Sequence, residues 1–182
     1  MPEQGTWDGF FNPADCLHKL GLLSSCEVVI DFGCGYGTFS LAAAACIEGR
    51  VIALDLDQDM IDITLRQARA HGLDKMEARL QDFVHDGTGE PSDSADYAML
   101  FNILHTDKPV ALLSEAKRVV KAGGKVSVMH WNYDENTPRG PDLSIRPTAL
   151  QCIAWAQAAG LVWTDKCIYD LPPWHYGLVF TA

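Results

Sequence analysis

Three aspartates, three alternate glycines and two histidines are the residues of this chain whose types and spacing carry chemistry. Residues 28 to 37 read Val-Val-Ile-Asp-Phe-Gly-Cys-Gly-Tyr-Gly, an apolar run holding Asp31 and then Gly33, Gly35 and Gly37 at alternate positions. A Cβ at such positions forbids positive φ and keeps a ligand off the main chain, so an alternating glycine turn lets a bound molecule touch the backbone. Thr38 to Ala45 is rich in helix formers, and the turn therefore opens a helix whose first N–H groups have no intrahelical partner. Strand, glycine turn and helix in this order predict a site for a nucleotide-like cofactor. The dinucleotide fingerprint G-x-G-x-x-G cradles a pyrophosphate, whereas this chain has Asp31-x-Gly33-x-Gly35-x-Gly37. A carboxylate at the mouth of the turn disfavours a pyrophosphate and favours a cationic ligand.

The elements that must position these groups follow in order. Arg50 to Asp55 is a second apolar strand ending in a carboxylate 18 residues beyond Gly37, the kind of group that accepts hydrogen bonds from a ribose diol. Asp57 is placed to cap a helix with Ile61, Leu65 and Ala68 on one face and Gly72 as its stop. Met76 to Leu80 forms a third strand running into Gln81-Asp82-Phe83. Ala95 to Phe101 forms a fourth, followed by Asn102-Ile103-Leu104-His105. A helix from Asp107 has Pro109 in its first turn, Val110, Leu113, Ala116 and Val120 inward, and Gly123-Gly124 beyond its end. Lys125 to His130 is the fifth strand. Strands alternating with helices predict an α/β domain built on a mostly parallel sheet.

In this order the motifs resemble those of the class I S-adenosylmethionine-dependent methyltransferases, in particular the small-molecule enzymes of the ubiquinone and menaquinone type, over residues 28 to 182. S-adenosylmethionine carries an ammonium and a sulfonium and no phosphate, in keeping with Asp31. The resemblance implies a single doubly wound seven-stranded sheet of order 3-2-1-4-5-7-6, helices on both faces and the last strand antiparallel. It implies a cofactor site made by Asp31, Gly33, Cys34, Gly35, Gly37, Asp55, Leu56, Met60, Gln81, Asp82, Phe83 and Asn102. Within that set Asp82 would accept from the adenine amino group while Phe83 packs on the ring.

Composition bounds the function classes. With 182 residues, 48% of them hydrophobic, the chain makes one domain, residues 1 to 182. No apolar run is long enough to span a bilayer and the N-terminus lacks a signal-peptide pattern, which predicts a cytoplasmic protein with no membrane partner. The net charge, 14 minus 24 or −10 with no basic run, argues against a nucleic-acid partner. Resembling enzymes that methylate base amines carry Pro-Pro and an aromatic residue after the fourth-strand Asn or Asp, and Asn102 is followed by Ile-Leu-His instead. A small-molecule acceptor is expected. Six cysteines in no C-x-x-C spacing suggest neither a metal site nor disulfides; Cys34, in the turn, is expected to have an alkylation-sensitive thiol.

The stretch from Trp131 to Pro147 is polar and irregular and leaves the C-terminal end of a strand, where open α/β sheets hold their ligands. Trp131, Tyr133, Arg139 and Arg146 are its candidates to line an acceptor pocket, the two arginines suiting a carboxylate or phosphate or else pairing with Asp134, Glu135 or Asp142 to stiffen the loop. A hydroxyl or ammonium acceptor must also lose a proton, and His105 and His130, each at or just beyond a strand end, are the candidate bases; His175 and Tyr176 border the last strand. Pro147 to Ala159 reads as a helix, and Leu161 to Leu171 with Tyr176 to Ala182 as a closing pair of strands. Residues 1 to 24 form an N-terminal segment in which Trp7, Phe10 and Phe11 precede a short helix, packed on the sheet edge or lying as a lid over the cofactor. Two other readings compete with methyl transfer: a non-catalytic S-adenosylmethionine-binding subunit or sensor, and a nicotinamide oxidoreductase, for which neither G-x-G-x-x-G nor a Tyr-x-x-x-Lys pair is present.

Overall fold

The computed structural model describes residue 5 and residues 9–182; Trp7 lies outside the described residues. The elements are α1 (Pro13–Lys19), β1 (Val28–Phe32), α2 (Thr38–Cys46), β2 (Arg50–Asp55), α3 (Gln58–Ala70), β3 (Met76–Leu80), β4 (Ala95–Phe101), α4 (Pro109–Val119), β5 (Val120–Trp131), α5 (Ala149–Ala158), β6 (Tyr169–Leu171) and β7 (His175–Thr181). They build one seven-stranded sheet of order β3-β2-β1-β4-β5-β7-β6. The strands from β1 to β5 pair in parallel, and β7 runs antiparallel to both β5 and β6. The expected fold is the one observed.

Side chains alternate across each strand, and this splits the core in two. Ile30 and Phe32 of β1 join the apolar layer that includes Leu112, Leu113 and Ala116 of α4 and Cys152, Ile153 and Ala156 of α5. Val29 faces the other way, with Leu17 of α1 and Phe39 and Ala43 of α2. Asp31 shares the parity of Val29, so β1 delivers its carboxyl to the first turn of α2, where the Ser40 hydroxyl donates to it. Chain connections leave β1 toward β2 on one side while β4 flanks it on the other. The crevice at the carboxyl ends of β1 and β4 is therefore the switch point where such sheets take their ligands.

Three boundaries differ from expectation. The helix α4 stops at Val119, and β5 already starts at Val120 and passes through Gly123-Gly124. Those glycines are not a helix stop: a Cβ on Gly124 would lie 2.6 Å from Val120 Cγ1 and 2.9 Å from the Asp96 carbonyl, where β4 and β5 shift register. The helix α5 begins at Ala149 rather than Pro147, because Thr148 and Gln151 form a reciprocal capping box. Of Leu161 to Leu171 only Tyr169–Leu171 is strand, with an isolated bridge between Val162 and Thr181.

Candidate active site

The glycine turn is braced from within. Gly33 and Cys34 both donate their amides to the Leu54 carbonyl, at 2.8 and 2.9 Å, and Gly37 donates to Cys34 at 2.9 Å. Gly35 donates to Asp55 Oδ2 at 2.7 Å. These amides are thus spent on the protein, and what the turn offers a ligand is closeness. Gly33, Gly35 and Gly37 all have positive φ; a Cβ on Gly33 would meet Ile103 Cγ2 at 2.9 Å and one on Gly37 would meet Thr64 Oγ1 at 2.8 Å. Cys34 is buried, and desolvation together with Asp31 and Asp55 pushes its thiol far above the usual range. The expected alkylation-sensitive thiol is therefore corrected to an inert one.

A cavity opens beside this turn, lined by Gly33, Gly35, Phe39 and Ile103 together with Asp31 and Asn102. Asp31 is 3% exposed, and desolvation lifts its carboxyl to about 7 against the single lowering contact from Ser40, with Asp55 adding to the rise. Asn102 holds a positive φ of 57° at the end of β4, fixed by its amide donating to the Met129 carbonyl at 2.8 Å. Both side-chain polar atoms of Asn102 are buried without a hydrogen-bond partner. An orphaned amide costs about 1–3 kcal/mol per group, and beside a carboxyl whose charge awaits a counter-ion it marks the place of a polar, cationic ligand group. The residues present fit the cationic end of S-adenosylmethionine.

On the other side of Asp55 lies a depression lined by Leu56, Leu80, Gln81, Asp82 and Asp86. Asp55 accepts from Gly35 with one carboxylate oxygen and from the Asp57 amide, at 3.0 Å, with the other, and each oxygen keeps a lone pair for a diol. Leu56 and Leu80 are 56% and 54% exposed, apolar walls facing water at the strand ends. Gln81 is held by its side-chain amide donating to the Gly87 carbonyl at 2.7 Å. The Asp82 carboxyl is tied to His85, whose ring Nδ1 lies 3.0 Å from Oδ2 and whose amide donates to Oδ1 at 3.0 Å, and these two contacts, the ring first, lower its pKa. Phe83 departs from expectation: its ring is buried, packs edge-on to Phe32 with centroids 5.8 Å apart, and supports the turn from beneath. Phe83 lies beyond the end of β3, in a turn that brings its ring back onto Phe32 and the core, whereas Leu56 and Leu80 are the apolar side chains exposed in the depression. Leu80 escaped the sequence reading; its one signal was an apolar residue at the last position of a strand. Met60, in the first turn of α3, is half-buried and lines neither cavity.

At the acceptor side the four loop candidates separate. Arg146 is buried, and its guanidinium donates to the carbonyls of Asn132 (2.9 Å), Asp134 (3.1 Å), Arg139 (3.4 Å) and Pro141 (2.8 Å) and to the Thr137 hydroxyl. Its fork is used up in shaping the loop, which corrects its assignment as an anion reader; the stiffening runs through carbonyls rather than through the expected carboxylates. Trp131 is also buried, 4.2 Å centroid to centroid from His175 and 5.2 Å from Phe10. It supports the site from within. Tyr133 and Arg139 remain exposed. Phe11 packs on Phe39 of the cavity wall and on His175, with centroids 5.1 and 4.6 Å away, so the N-terminal segment reaches both the cofactor-side helix and the start of β7.

His105 and His130 meet. His105 Nδ1 lies 3.3 Å from His130 Nε2. His130 is fully buried, and desolvation with the neighbouring His105 and His175 holds its pKa down at about 3. His105 stands at the surface with its ring partly covered, which lowers its pKa. A buried neutral His130 is a poor collector of protons from a substrate, and of the two only His105 is open to one.

A doubly wound sheet, a braced glycine turn at its switch point and a carboxylate at the end of the second strand define a nucleoside-cofactor-binding α/β domain. Residues 29–124 match the family model described as a methyltransferase domain, and the chain belongs to that family, the class I S-adenosylmethionine-dependent methyltransferases. It is similar to a 37.1 kDa transposon Tn4556 protein of Streptomyces fradiae, 35% identical over 122 residues, 65% of this chain and 34% of that one. It is 30% identical over 106 residues to the demethylmenaquinone methyltransferase of Oceanobacillus iheyensis, 55% of this chain and 42% of that one. The chain thus spans between a third and a half of these relatives. A crystal structure of an S-adenosylmethionine-dependent methyltransferase from Aquifex aeolicus shares the fold, with a TM-score of 0.85, 19% identity, and coverage of 98% of this chain and 93% of that one.

Proposed function

We propose that this chain transfers a methyl group from S-adenosylmethionine to a small-molecule acceptor bound over the carboxyl ends of β4 and β5. The observation that carries the reading is the pairing of an orphaned, buried Asn102 amide with the buried Asp31 carboxyl beside the glycine turn. Bound there, S-adenosylmethionine supplies a methyl carbon already activated by the sulfonium. Asp31 and Asn102 take the amino-acid end, Asp55 the ribose diol, and Leu56, Leu80 and Asp82 the adenine. Gly33 and Gly35, which line the cavity, let the ligand lie against the main chain.

The protein's remaining task is to align the acceptor and exclude water, and such positioning is worth ~7–11 kcal/mol. Tyr133 and Arg139 are the loop side chains exposed to an acceptor, and an anionic group on it would be met by Arg139. If the acceptor is a hydroxyl or an ammonium, His105 takes its proton.

Titration calorimetry with S-adenosylmethionine, S-adenosylhomocysteine and NAD tests the cofactor: the first two should bind and NAD should not. Binding of NAD alone would favour a nicotinamide enzyme. Release of S-adenosylhomocysteine across a panel of small hydroxyl, amine and carboxylate metabolites then separates an enzyme from a non-catalytic cofactor-binding subunit, which would bind and never turn over.

A further inference from the structure

Strand register puts His175 on the same face of the sheet as Asp31. Asp31 stands opposite Met99, Met99 opposite Ser127 and Ser127 opposite Val179, so these four side chains share one face. Two residues on from Met99 comes Phe101, and four on from Ser127 comes Trp131, which is in register with His175. Because β7 runs antiparallel, its first residue lies at the carboxyl ends of the parallel strands, the edge that carries the cofactor cavity.

Aromatic rings join that cavity to His175. Phe39 and Phe101 line the cavity and touch, with centroids 4.8 Å apart. Phe11 packs on Phe39 at 5.1 Å and on His175 at 4.6 Å, and Trp131 closes on His175 from the neighbouring strand at 4.2 Å. The ring between the cavity wall and His175 is thus Phe11. It belongs to no helix or strand and is half-buried, so it can swing away with the sheet intact.

A histidine is costly in this place. His175 is 1% exposed, and neither Nδ1 nor Nε2 has a hydrogen-bond partner among the described residues. Phenylalanine would serve ring packing better, since each buried nitrogen without a partner has given up its bonds to water. Desolvation, with Arg146 adding to it, holds the His175 pKa down at about 3, and the neutral ring offers one N–H and one lone pair. A carboxylate answers only the first and an ammonium only the second. A hydroxyl answers either, whichever nitrogen carries the proton.

We propose that the methyl acceptor is an aromatic ring bearing an uncharged hydroxyl, which takes the place of the Phe11 ring and hydrogen-bonds to His175. This rests on the reading of the chain as a small-molecule methyltransferase. Phe39, Phe101 and Trp131 give such a ring aromatic walls to stack on or meet edge-on. His175 is a binding residue that selects the acceptor, and no proton moves to it. Phe11 plugs the slot until the acceptor enters.

Calorimetric titration with 1-naphthol, on the free protein and with S-adenosylhomocysteine present, tests it. The wild type should bind 1-naphthol more tightly than 1-naphthoate. His175→Phe should weaken 1-naphthol about ten-fold, the worth of one hydrogen bond, and raise the melting temperature. His175→Gln, which keeps a donor and an acceptor, should hold most of the affinity, and Phe11→Ala, with the plug removed, should increase it. No binding of 1-naphthol by the wild type overturns the proposal and needs no variant to fold. A histidine that serves packing alone would also overturn it, by lowering the melting temperature when replaced and leaving the naphthol titration unchanged. If 1-naphthol binds as described and S-adenosylhomocysteine does not bind, the methyltransferase reading is what fails and the His175 site stands.

Discussion

Asp55 Oδ2 accepts the Gly35 amide at 2.7 Å, fastening the end of β2 to the middle of the glycine turn. Its other oxygen accepts from Asp57, the N-cap of α3. This carboxylate holds both the turn and the next helix in place, and in the proposed site, where it also receives the ribose, cofactor affinity and local order would be coupled through one side chain.

Asp55→Ala removes both roles. Loss of a charge-assisted hydrogen bond is worth about 1.5–3 kcal/mol, so affinity for S-adenosylmethionine should fall roughly ten- to hundred-fold by calorimetry, and the melting temperature should drop as well. Unchanged affinity with the fold intact would sink the assignment of this cofactor site.

Asp31 should trade stability for binding. Burial raises its pKa from 3.8 to about 7, so the folded protein holds this proton more tightly than the unfolded chain does. The group's stabilising contribution is complete below pH 3.8 and is lost as pH rises through about 7. At pH 8 the unliganded protein carries an unpaired buried charge, and Asp31→Asn should stabilise it by roughly 2–4 kcal/mol while weakening cofactor binding. In the wild type, affinity for the cationic cofactor should rise with pH through neutrality, with proton release on binding below pH 7. Calorimetry in buffers of different ionisation enthalpy reads that proton; pH-independent binding without it would be the contrary result.

Arg146 and Arg139 should behave differently. Arg146→Ala strips four carbonyls and a hydroxyl of one buried donor set and should destabilise the protein by about 2–4 kcal/mol. Arg146→Lys, a point charge without the fork, should recover little of it. Arg139→Ala should change stability by no more than about 0.5 kcal/mol and raise the KM of an anionic acceptor. Thermal melts of the three variants separate the roles, and a normal melt for Arg146→Ala would contradict the loop-shaping one.

His105→Ala should lower kcat by roughly 10²–10⁴ if the acceptor must lose a proton. Partial burial lowers the His105 pKa below its usual value near 6.5, so the acid limb of the wild-type profile should lie under that pH and should flatten in the variant. A histidine with only a structural role would change the melting temperature and leave that limb where it was.

The order of strands and helices, and the glycine turn with a carboxylate at the end of the next strand, were legible along the chain. Glycines at alternate positions, a carboxylate at a strand end and helix-starting caps act through the backbone within a few residues, so spacing alone carries them. That is why Asp31, Gly33, Gly35, Gly37, Asp55 and Asn102 fall where their spacing places them. The fate of a long side chain depends instead on which face its strand parity shows and on which distant segment packs there. Phe83 is turned into the core by the turn that follows β3, while Leu80, at the last position of that strand, stays exposed. Gly124 serves the close approach of β4 to β5 rather than the end of a helix. Arg146 looks like an anion reader in the linear sequence, yet the loop folds its own carbonyls around the guanidinium, because nothing in composition tells a charge that meets a ligand from one that satisfies main chain. His105 and His130 stand 25 residues apart and meet only because β4 and β5 are neighbours. The local chemistry of the cofactor turn belonged to the sequence, and the division of labour between the two histidines was decided by burial, which only the assembled sheet imposes.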